Sequence, residues 1–340
     1  MFRAMNPCLL SLGPFVLLSS LLLGADSSAP FRLTAPREIA AGEDATFGVS
    51  ASAASTGEVT FELKTYSGAP LWTQTAPFVS GKASAVLKAD HAASLEKGNR
   101  VLVATTVGRE GAALYAPVRL RGRVFRNPRE PLADLRPGDE LVFTDLARLQ
   151  PADSLSEKSA PGKWWRRTYR VPGDPAEHAL VCVEAHDLDD PASCLAGRLT
   201  LPLNVRGWYE VWVRTLRPEA GGGIDVRLSG EPYFLRANPL QIDRLPGYAQ
   251  PPFGALVDVR YRAADLTGQD LVFQQPYGTY ESEQKRCSAS LAGVRLVKLS
   301  ESEVEAIENH AARKNSRTIG YDDDGFSYFF RWGIHDPVLQ

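Results

Sequence analysis

Between residues 30 and 298 apolar and polar residues alternate in short runs, and this alternation most restricts how the chain can fold. Such runs occupy residues 45–49, 59–63, 83–87, 100–104 and 116–120, and glycines such as Gly68, Gly81 and Gly98 punctuate them. A period of two is that of a half-buried β-strand, and glycine-containing turns bound such strands. Helical periodicity is absent from 139 to 298, so the chain is predicted to be all-β up to that point.

The spacing of these runs predicts two tandem β-sandwich domains. About seven short strands over residues 30–125 are typical of an immunoglobulin-like sandwich. A linker rich in arginine and proline covers 123–138. Further runs at 140–143, 164–171, 180–183, 207–214, 224–228, 256–259, 271–273 and 292–297 predict a larger, jelly-roll-like sandwich over 130–298.

Residues 299–340 differ from everything before them. Ser300 and Glu303 match a capping box, and Val304, Ile307 and Ala311 form an apolar stripe, so 300–315 is predicted to be a connecting helix. A strand at 317–331 with an acidic turn follows, and nine residues after it are too few to pair and cover it. We expect this segment to be the opening of a further, truncated catalytic domain.

The first 25 residues predict a secretion signal. Arg3 precedes an apolar stretch from 9 to 23, and small residues near Ala25 suit cleavage. A membrane anchor is the alternative, but Gly13 and Pro14 interrupt the stretch. The chain is therefore expected to be secreted or periplasmic, with no membrane association after cleavage. Because 38 basic residues face 40 acidic ones, no net field favours a nucleic-acid partner.

Three cysteines follow the signal: Cys182, Cys194 and Cys287. Cys182 lies in an apolar run, which predicts a buried thiol. A Cys182–Cys194 disulfide is the alternative, since secretion permits one.

The segments 201–214, 223–230 and 264–273 together resemble galactose-binding-type β-sandwich modules of secreted polysaccharide-acting proteins. Such modules often precede a catalytic barrel, and 300–331 resembles the entry to one. The resemblance implies that the chain is the non-catalytic, carbohydrate-binding or spacer part of a glycoside-hydrolase-like protein, with a polysaccharide or glycan as partner.

The strand at 207–214 supplies the main candidate ligand-binding site. Alternation places Tyr209, Val211 and Val213 on the core face and puts two indoles, a carboxylate and a guanidinium on the other. This second set could stack a sugar, and Tyr277 and Tyr280 are further candidates; its members are Trp208, Glu210, Trp212 and Arg214. The alternative is that Trp212 packs under a loop or at the domain junction, as large aromatics are usually buried.

A second candidate is a structural calcium site at Asp187, Asp189 and Asp190, since close-spaced carboxylates are ligands that Ca²⁺ prefers. A solvated acidic turn is the alternative. A short basic run, Arg119 to Arg126, is interpreted as solvated surface.

No catalytic residue set is present: nucleophile elbows, zinc-binding spacings and phosphate-binding glycine loops are all missing from the sequence. The acidic turn Asp322 to Asp324 cannot alone provide the facing carboxylates of a glycosidase. A non-catalytic carbohydrate-binding or spacer region is favoured. The alternatives are a glycoside hydrolase whose barrel begins near 317 and a structural cell-surface protein.

Overall fold

The computed structural model describes residues 31–313, except 41, 52–56, 66–67, 107–112, 152, 154, 160–161, 184–195, 218–222, 240–251 and 276–288. Within the described residues the chain forms 21 strands in five sheets, two α-helices and one short 3-10 helix. This confirms the prediction of an all-β fold with sandwich-like sheets.

The strands are β1 (Phe31–Thr34), β2 (Glu38–Ile39), β3 (Ala45–Ala51), β4 (Glu58–Lys64), β5 (Pro70–Pro77), β6 (Lys82–Leu87), β7 (Gly98–Thr106), β8 (Ala113–Leu120), β9 (Val124–Arg126), β10 (Glu140–Phe143), β11 (Leu155–Ser156), β12 (Trp164–Arg170), β13 (Glu177–Val183), β14 (Leu199–Leu201), β15 (Trp208–Leu216), β16 (Ile224–Leu228), β17 (Leu235–Ala237), β18 (Leu256–Asp265), β19 (Leu271–Gln274), β20 (Ala289–Leu291) and β21 (Gly293–Lys298). The α-helices are α1 (Ala89–Ser94) and α2 (Glu301–Arg313), and the 3-10 helix is Leu146–Arg148.

The N-terminal sandwich consists of a three-stranded sheet, β1-β3-β6, and a five-stranded sheet, β2-β8-β7-β4-β5. Their facing sides share one hydrophobic core that includes Phe47, Phe61, Leu63 and Leu102, all fully buried. Along β3 and β4 the buried residues alternate with exposed or half-buried ones, as in a sheet with one buried face, whereas β7 is buried on both faces. Burying each such side chain contributes about 1.5–3 kcal/mol, so the core holds the two sheets together.

The second sandwich is built from three sheets: β18-β15-β21-β10-β9, β11-β12-β13-β20 and β14-β19-β16-β17. All three contribute to a single core that includes Phe143, Trp164, Tyr209 and Phe273. Only Ala292 separates β20 from β21, so one stretch of chain passes from one sheet into another. A side chain on Gly293 at this crossing would lie 2.6 Å from the Phe143 carbonyl oxygen, so the position requires glycine.

Each run predicted to be a strand between 45 and 297 overlaps an observed strand, with ends at 171, 207 and 292 that lie one residue outside it, and the predicted helix at 300–315 is observed as α2. The sequence missed α1, whose six residues are too few to show helical periodicity. It also missed β9, which lies inside the predicted linker and pairs in parallel with β10. Cys182 is buried, as expected, while Cys194 and Cys287 lie outside the described residues. The predicted strand at 317–331 and the signal peptide lie outside the described residues.

Candidate functional site at the junction of the two sandwiches

Strand β15 lies between β18 and β21 in its sheet, and its two faces have different surroundings. Tyr209, Val211 and Val213 are buried in the core of the second sandwich, as the alternation predicted. The pairing with β18 shifts register between Val211 and Trp212, which marks a β-bulge there. The opposite face carries the predicted ligand-binding residues, and it faces the N-terminal sandwich.

Glu210 is the centre of this face, and its carboxylate is completely buried. Arg119 on β8 of the N-terminal sandwich and Arg260 on β18 each donate a hydrogen bond to it. Burial alone would raise the pKa of the Glu210 carboxyl, but the charges of Arg260 and Arg119 outweigh it and hold this pKa below its usual range. The group is therefore an ionised link between the two sandwiches.

The ion pairs around Glu210 continue through Glu38 on β2. Its carboxylate accepts from Arg119 at 3.3 Å and from Arg295 of β21 at 3.1 Å. We call this set of five residues the charged interface: Glu38, Arg119, Glu210, Arg260 and Arg295. Because its members come from both sandwiches, separating the sandwiches would leave buried charges without partners, which is strongly unfavourable.

Trp212 and Arg214 lie beside the charged interface. The guanidinium carbons of Arg119 and Arg295 are 4.9 and 5.0 Å from the Trp212 ring centroid, within the range of cation–π contacts. Arg214 instead forms a two-point pair with Asp258 on β18, at 2.8 and 3.2 Å. The structure thus brings Glu210, Trp212 and Arg214 onto one face, with Trp212 at the junction, which was the alternative interpretation of the sequence.

Trp208, at the start of β15, belongs to a separate apolar contact. It packs against a cluster of buried residues that joins β7 of the N-terminal sandwich to β18 and α2: Val101, Val103, Ala263, Leu299 and Ile307. The apolar stripe predicted on the helix therefore contacts this cluster, because Ile307 is part of the cluster and Val304 packs against it.

Glu303 fixes the start of α2 and also reaches the other sandwich. Its carboxylate accepts a hydrogen bond from the Ser300 backbone N–H at 2.8 Å, and the Ser300 hydroxyl oxygen accepts one from the Glu303 backbone N–H at 3.3 Å. These two bonds confirm the capping box. The same carboxylate accepts from the Asn99 backbone N–H on β7 at 2.9 Å. We call this second contact the helix interface: Asn99, Val101, Val103, Leu299, Glu303 and Ile307.

The ionisation of Glu303 differs from that of Glu210. Burial raises the pKa of the Glu303 carboxyl, and the hydrogen bonds from Ser300 and Asn99, with the nearby Arg100, offset only part of this rise. A buried carboxylate that accepts hydrogen bonds from backbone groups is less well compensated than one that contacts two guanidinium groups.

Close backbone contacts complete the junction. Gly138, at φ +79°, has no room for a side chain, because a Cβ atom there would lie 2.5 Å from the Lys97 Cβ and 2.7 Å from the Gly98 nitrogen. The linker between the sandwiches is thus packed directly against the loop that leads into β7.

The structure corrects the interpretation of the basic run as solvated surface for Arg119 and the half-buried Arg121, while Arg123 and Arg126 are exposed as expected. Arg119 is only 5% exposed, and Arg121 and Arg123 pair with Glu140 and Asp139 at 3.0 and 2.6 Å. Local sequence could not show this, because the Arg119 partner, Glu210, lies 91 residues away. The one local indication was a glutamate between two tryptophans on a strand whose other face is core.

Tyr277, Tyr280, Asp187, Asp189 and Asp190 lie outside the described residues, as does the turn at 322–324. Among the residues that the structure describes, no group of three or more His, Cys, Asp or Glu side chains is arranged to hold a metal ion. Calcium binding by the three aspartates stays a prediction.

No family model and no curated protein matches this chain. Solved structures with some similarity include trypsin-activated alpha-2-macroglobulin from Escherichia coli, at 11% identity, and Paenibacillus xanthan lyase, at 12%. The matches cover 77% and 76% of this chain but only 15% and 23% of those chains, with TM-scores of 0.23 and 0.24.

A bacterial ice-binding adhesin is also similar, at 8% identity over 80% of this chain and 65% of that one, with a TM-score of 0.19. TM-scores this low establish no shared topology. This chain spans less than a quarter of the length of the macroglobulin and xanthan lyase chains. In the part of the chain that the structure describes, no helix is both long and apolar enough to cross a membrane.

Proposed function

We propose that this chain is a secreted, non-catalytic region of a polysaccharide-processing protein, in which the two sandwiches act together as a rigid spacer and carry carbohydrate binding. The observation that supports the spacer role most is the burial of Glu210 between Arg119 of one sandwich and Arg260 of the other. Secretion and the carbohydrate context come from the predicted signal and from the resemblance of the second sandwich to galactose-binding-type modules.

Rigidity follows from what opening the junction would cost. Domains joined by a linker move relative to one another unless their interface is large and well packed. Here a bend would unpair Glu210, expose the cluster around Ile307 and pull Gly138 from the loop that it packs against. Removing one partner from a buried ion pair costs about 3–5 kcal/mol. This penalty favours a single relative orientation of the two sandwiches.

The ionisation of the junction argues against one catalytic role, that of a general acid. Burial would raise the pKa of both Glu210 and Asp258, but neighbouring arginines hold each pKa below its usual range. A general acid at neutral pH needs the opposite shift, because it must keep its proton until the reaction. Both carboxylates are instead suited to permanent ion pairing.

Single-molecule energy transfer between dyes placed on the two sandwiches tests the spacer role. We expect one narrow distance distribution for the wild type and a broader one for Glu210→Ala. The control is Arg170→Ala, which removes one side of an exposed pair with Glu177 and should leave the distribution unchanged. A broad distribution in the wild type itself would refute a rigid spacer.

Ligand binding by Trp208, Glu210, Trp212 and Arg214 is a separate part of the proposal. A glycan array with the wild type and Trp212→Ala tests it. If Trp212 stacks a sugar, the substitution should weaken binding by about 1–2 kcal/mol, the range for aromatic contacts beyond area burial. If the β15 face serves only to join the sandwiches, Trp212→Ala will broaden the distance distribution and leave glycan affinity unchanged.

A further inference from the structure

The outer face of β12 carries an unusual set of side chains. Trp164 is in the core, so Trp165, Arg167 and Tyr169 point to the other side of the sheet. The register confirms a common face, since these three lie opposite Cys182, Leu180 and His178 of β13. Trp165 and Tyr169 pack against a small apolar cluster outside the main core and remain partly exposed.

Arg167 lies between the two rings. Its guanidinium carbon is 5.4 Å from the Trp165 ring centroid and 5.3 Å from that of Tyr169. Among the described residues, no carboxylate pairs with Arg167. Its neighbours differ, because Arg166 pairs with Glu157 at 3.3 Å and Arg170 pairs with Glu177 at 2.8 Å. Arg167 thus presents a positive charge that the described part of the chain does not neutralise.

An exposed aromatic ring also lies beside the residue that Tyr169 contacts. The Tyr169 hydroxyl donates to the Gly254 carbonyl oxygen at 2.9 Å, and Phe253, the residue before Gly254 in the chain, is 50% exposed. The Arg217 guanidinium carbon lies 4.8 Å from the centroid of that ring. Because Arg217 is only 5% exposed, it lies beneath this surface, and we call the other four residues the aromatic strip: Trp165, Arg167, Tyr169 and Phe253.

We propose that the aromatic strip binds an extended polysaccharide that carries carboxylates, of the uronate type. Aromatic rings offer flat apolar surfaces to the C–H faces of sugars, and a guanidinium group matches a carboxylate in a two-point hydrogen bond. The positive charge of Arg167 between two rings is complementary to an acidic sugar within a chain.

The size of the strip indicates a polymer rather than a single sugar. Trp165 and Tyr169 are four residues apart on one strand, roughly 13 Å along the backbone. Their ring centroids lie 5.4 and 5.3 Å from the same guanidinium carbon, on either side of Arg167, and Phe253 extends the surface further. This inference rests on the proposed function as part of a polysaccharide-processing protein, and it adds the charge of the ligand and the face that binds it.

Affinity electrophoresis and calorimetry with the full chain test the inference. The ligands are polygalacturonate and a neutral galactan. Dextran sulfate and single-stranded DNA serve as polyanions that carry sulfate and phosphate groups instead of carboxylates. The variants are Arg167→Gln, Arg167→Lys and Phe253→Ala, and Arg170→Gln is the matched control on the same strand. Melting temperatures establish that each variant is folded.

We expect the wild type to bind polygalacturonate and Arg167→Gln to weaken that binding roughly 10- to 100-fold, as for loss of a hydrogen bond between charged groups. Arg167→Lys should recover part of the loss, Phe253→Ala should weaken binding to a smaller extent, and Arg170→Gln should change it less than about twofold.

Three results would overturn the inference: no binding of polygalacturonate by the wild type, equal binding by Arg167→Gln, or equal affinity for dextran sulfate or DNA. Binding of the neutral galactan instead would also overturn it, while leaving the carbohydrate part of the proposed function in place. The spacer role is read from inter-sandwich distances, so its failure is distinguishable from failure of this inference.

Discussion

The charged interface and the helix interface join the same two sandwiches by different physical means. In the charged interface, guanidinium groups hold the buried Glu210 ionised. In the helix interface, burial makes ionisation of Glu303 unfavourable, and apolar side chains such as Ile307 supply most of the contact. One contact therefore depends on charge and the other on packing.

The two interfaces therefore have different effects: one favours a particular alignment of the sandwiches, and the other holds the sandwiches together. Buried ion pairs give little net stability over well-packed apolar residues, but a wrong alignment leaves charges unpaired and is heavily penalised. Apolar burial contributes stability with little directional preference. The charged interface is thus suited to fixing the orientation of the sandwiches, and the helix interface to keeping them together.

The largest effect should come from breaking the charged interface. Glu210→Ala leaves the guanidinium groups of Arg119 and Arg260 without their buried partner, so the free energy of unfolding should fall by about 3–5 kcal/mol. Urea denaturation measures this. Arg170→Ala, at the exposed pair, should change it by less than about 1 kcal/mol. Equal effects of the two substitutions would contradict a central role for Glu210.

The next effect should come from the helix interface. Ile307→Ala removes most of a side chain that is only 6% exposed, and leaves a cavity between α2 and β7. We expect a loss of about 2–4 kcal/mol in the free energy of unfolding. Raising salt concentration should alter the stability of this variant no more than that of the wild type. A smaller loss than for exposed Glu301→Ala would show that α2 does not hold the sandwiches together.

A smaller difference in stability, between two glycine-to-alanine variants, separates the effect of close packing from that of backbone strain. Gly138 and Gly173 have similar φ angles of +79° and +84°, but a Cβ atom would clash at Gly138 and meets open space at Gly173. The left-handed backbone alone should make Gly173→Ala cost about 1–2 kcal/mol. Gly138→Ala should cost about 1–3 kcal/mol more, since the linker must move. Matching melting temperatures for the two variants would contradict the close contact.

The smallest effect should appear in the pH dependence. The lowered pKa of Glu210 gives stability that is present above the ordinary value of 4.5 and is lost as pH falls through the folded value. The raised pKa of Glu303 works oppositely: stability falls as pH rises from 4.5 through the higher folded value.

The Glu303→Gln variant isolates the contribution of Glu303 to the pH dependence, because a glutamine side chain does not ionise. Denaturation across this pH range should show the wild type losing stability relative to Glu303→Gln as pH rises above 4.5. A constant difference between the two proteins would mean that Glu303 titrates at the same pKa in the folded and unfolded states.

Local patterns in the sequence predicted local structure well. Alternation predicted the buried positions Tyr209, Val211 and Val213, and the spacing of Ser300 and Glu303 predicted the helix start. Each of these results depends on residues a few positions apart. The second face of β15 could not be predicted in the same way, because a polar face looks alike whether it meets water or another charged surface.

The missing information was long-range. Glu210 reaches Arg119 across 91 residues, and Glu303 reaches Asn99 across 204. No periodicity within one segment encodes such pairings. The aromatic strip depends on a similar contact, since Tyr169 and Gly254 are 85 residues apart.

The two hydrogen-bonding roles of Glu303 have a consequence for how such a chain can change over evolution. One carboxylate both caps α2 and accepts from the backbone of β7. A recombination event that exchanged the N-terminal sandwich for another would remove that backbone donor and also leave Glu210 without Arg119. The two sandwiches are therefore expected to be inherited as one block, and their interchange would require matched changes on both sides.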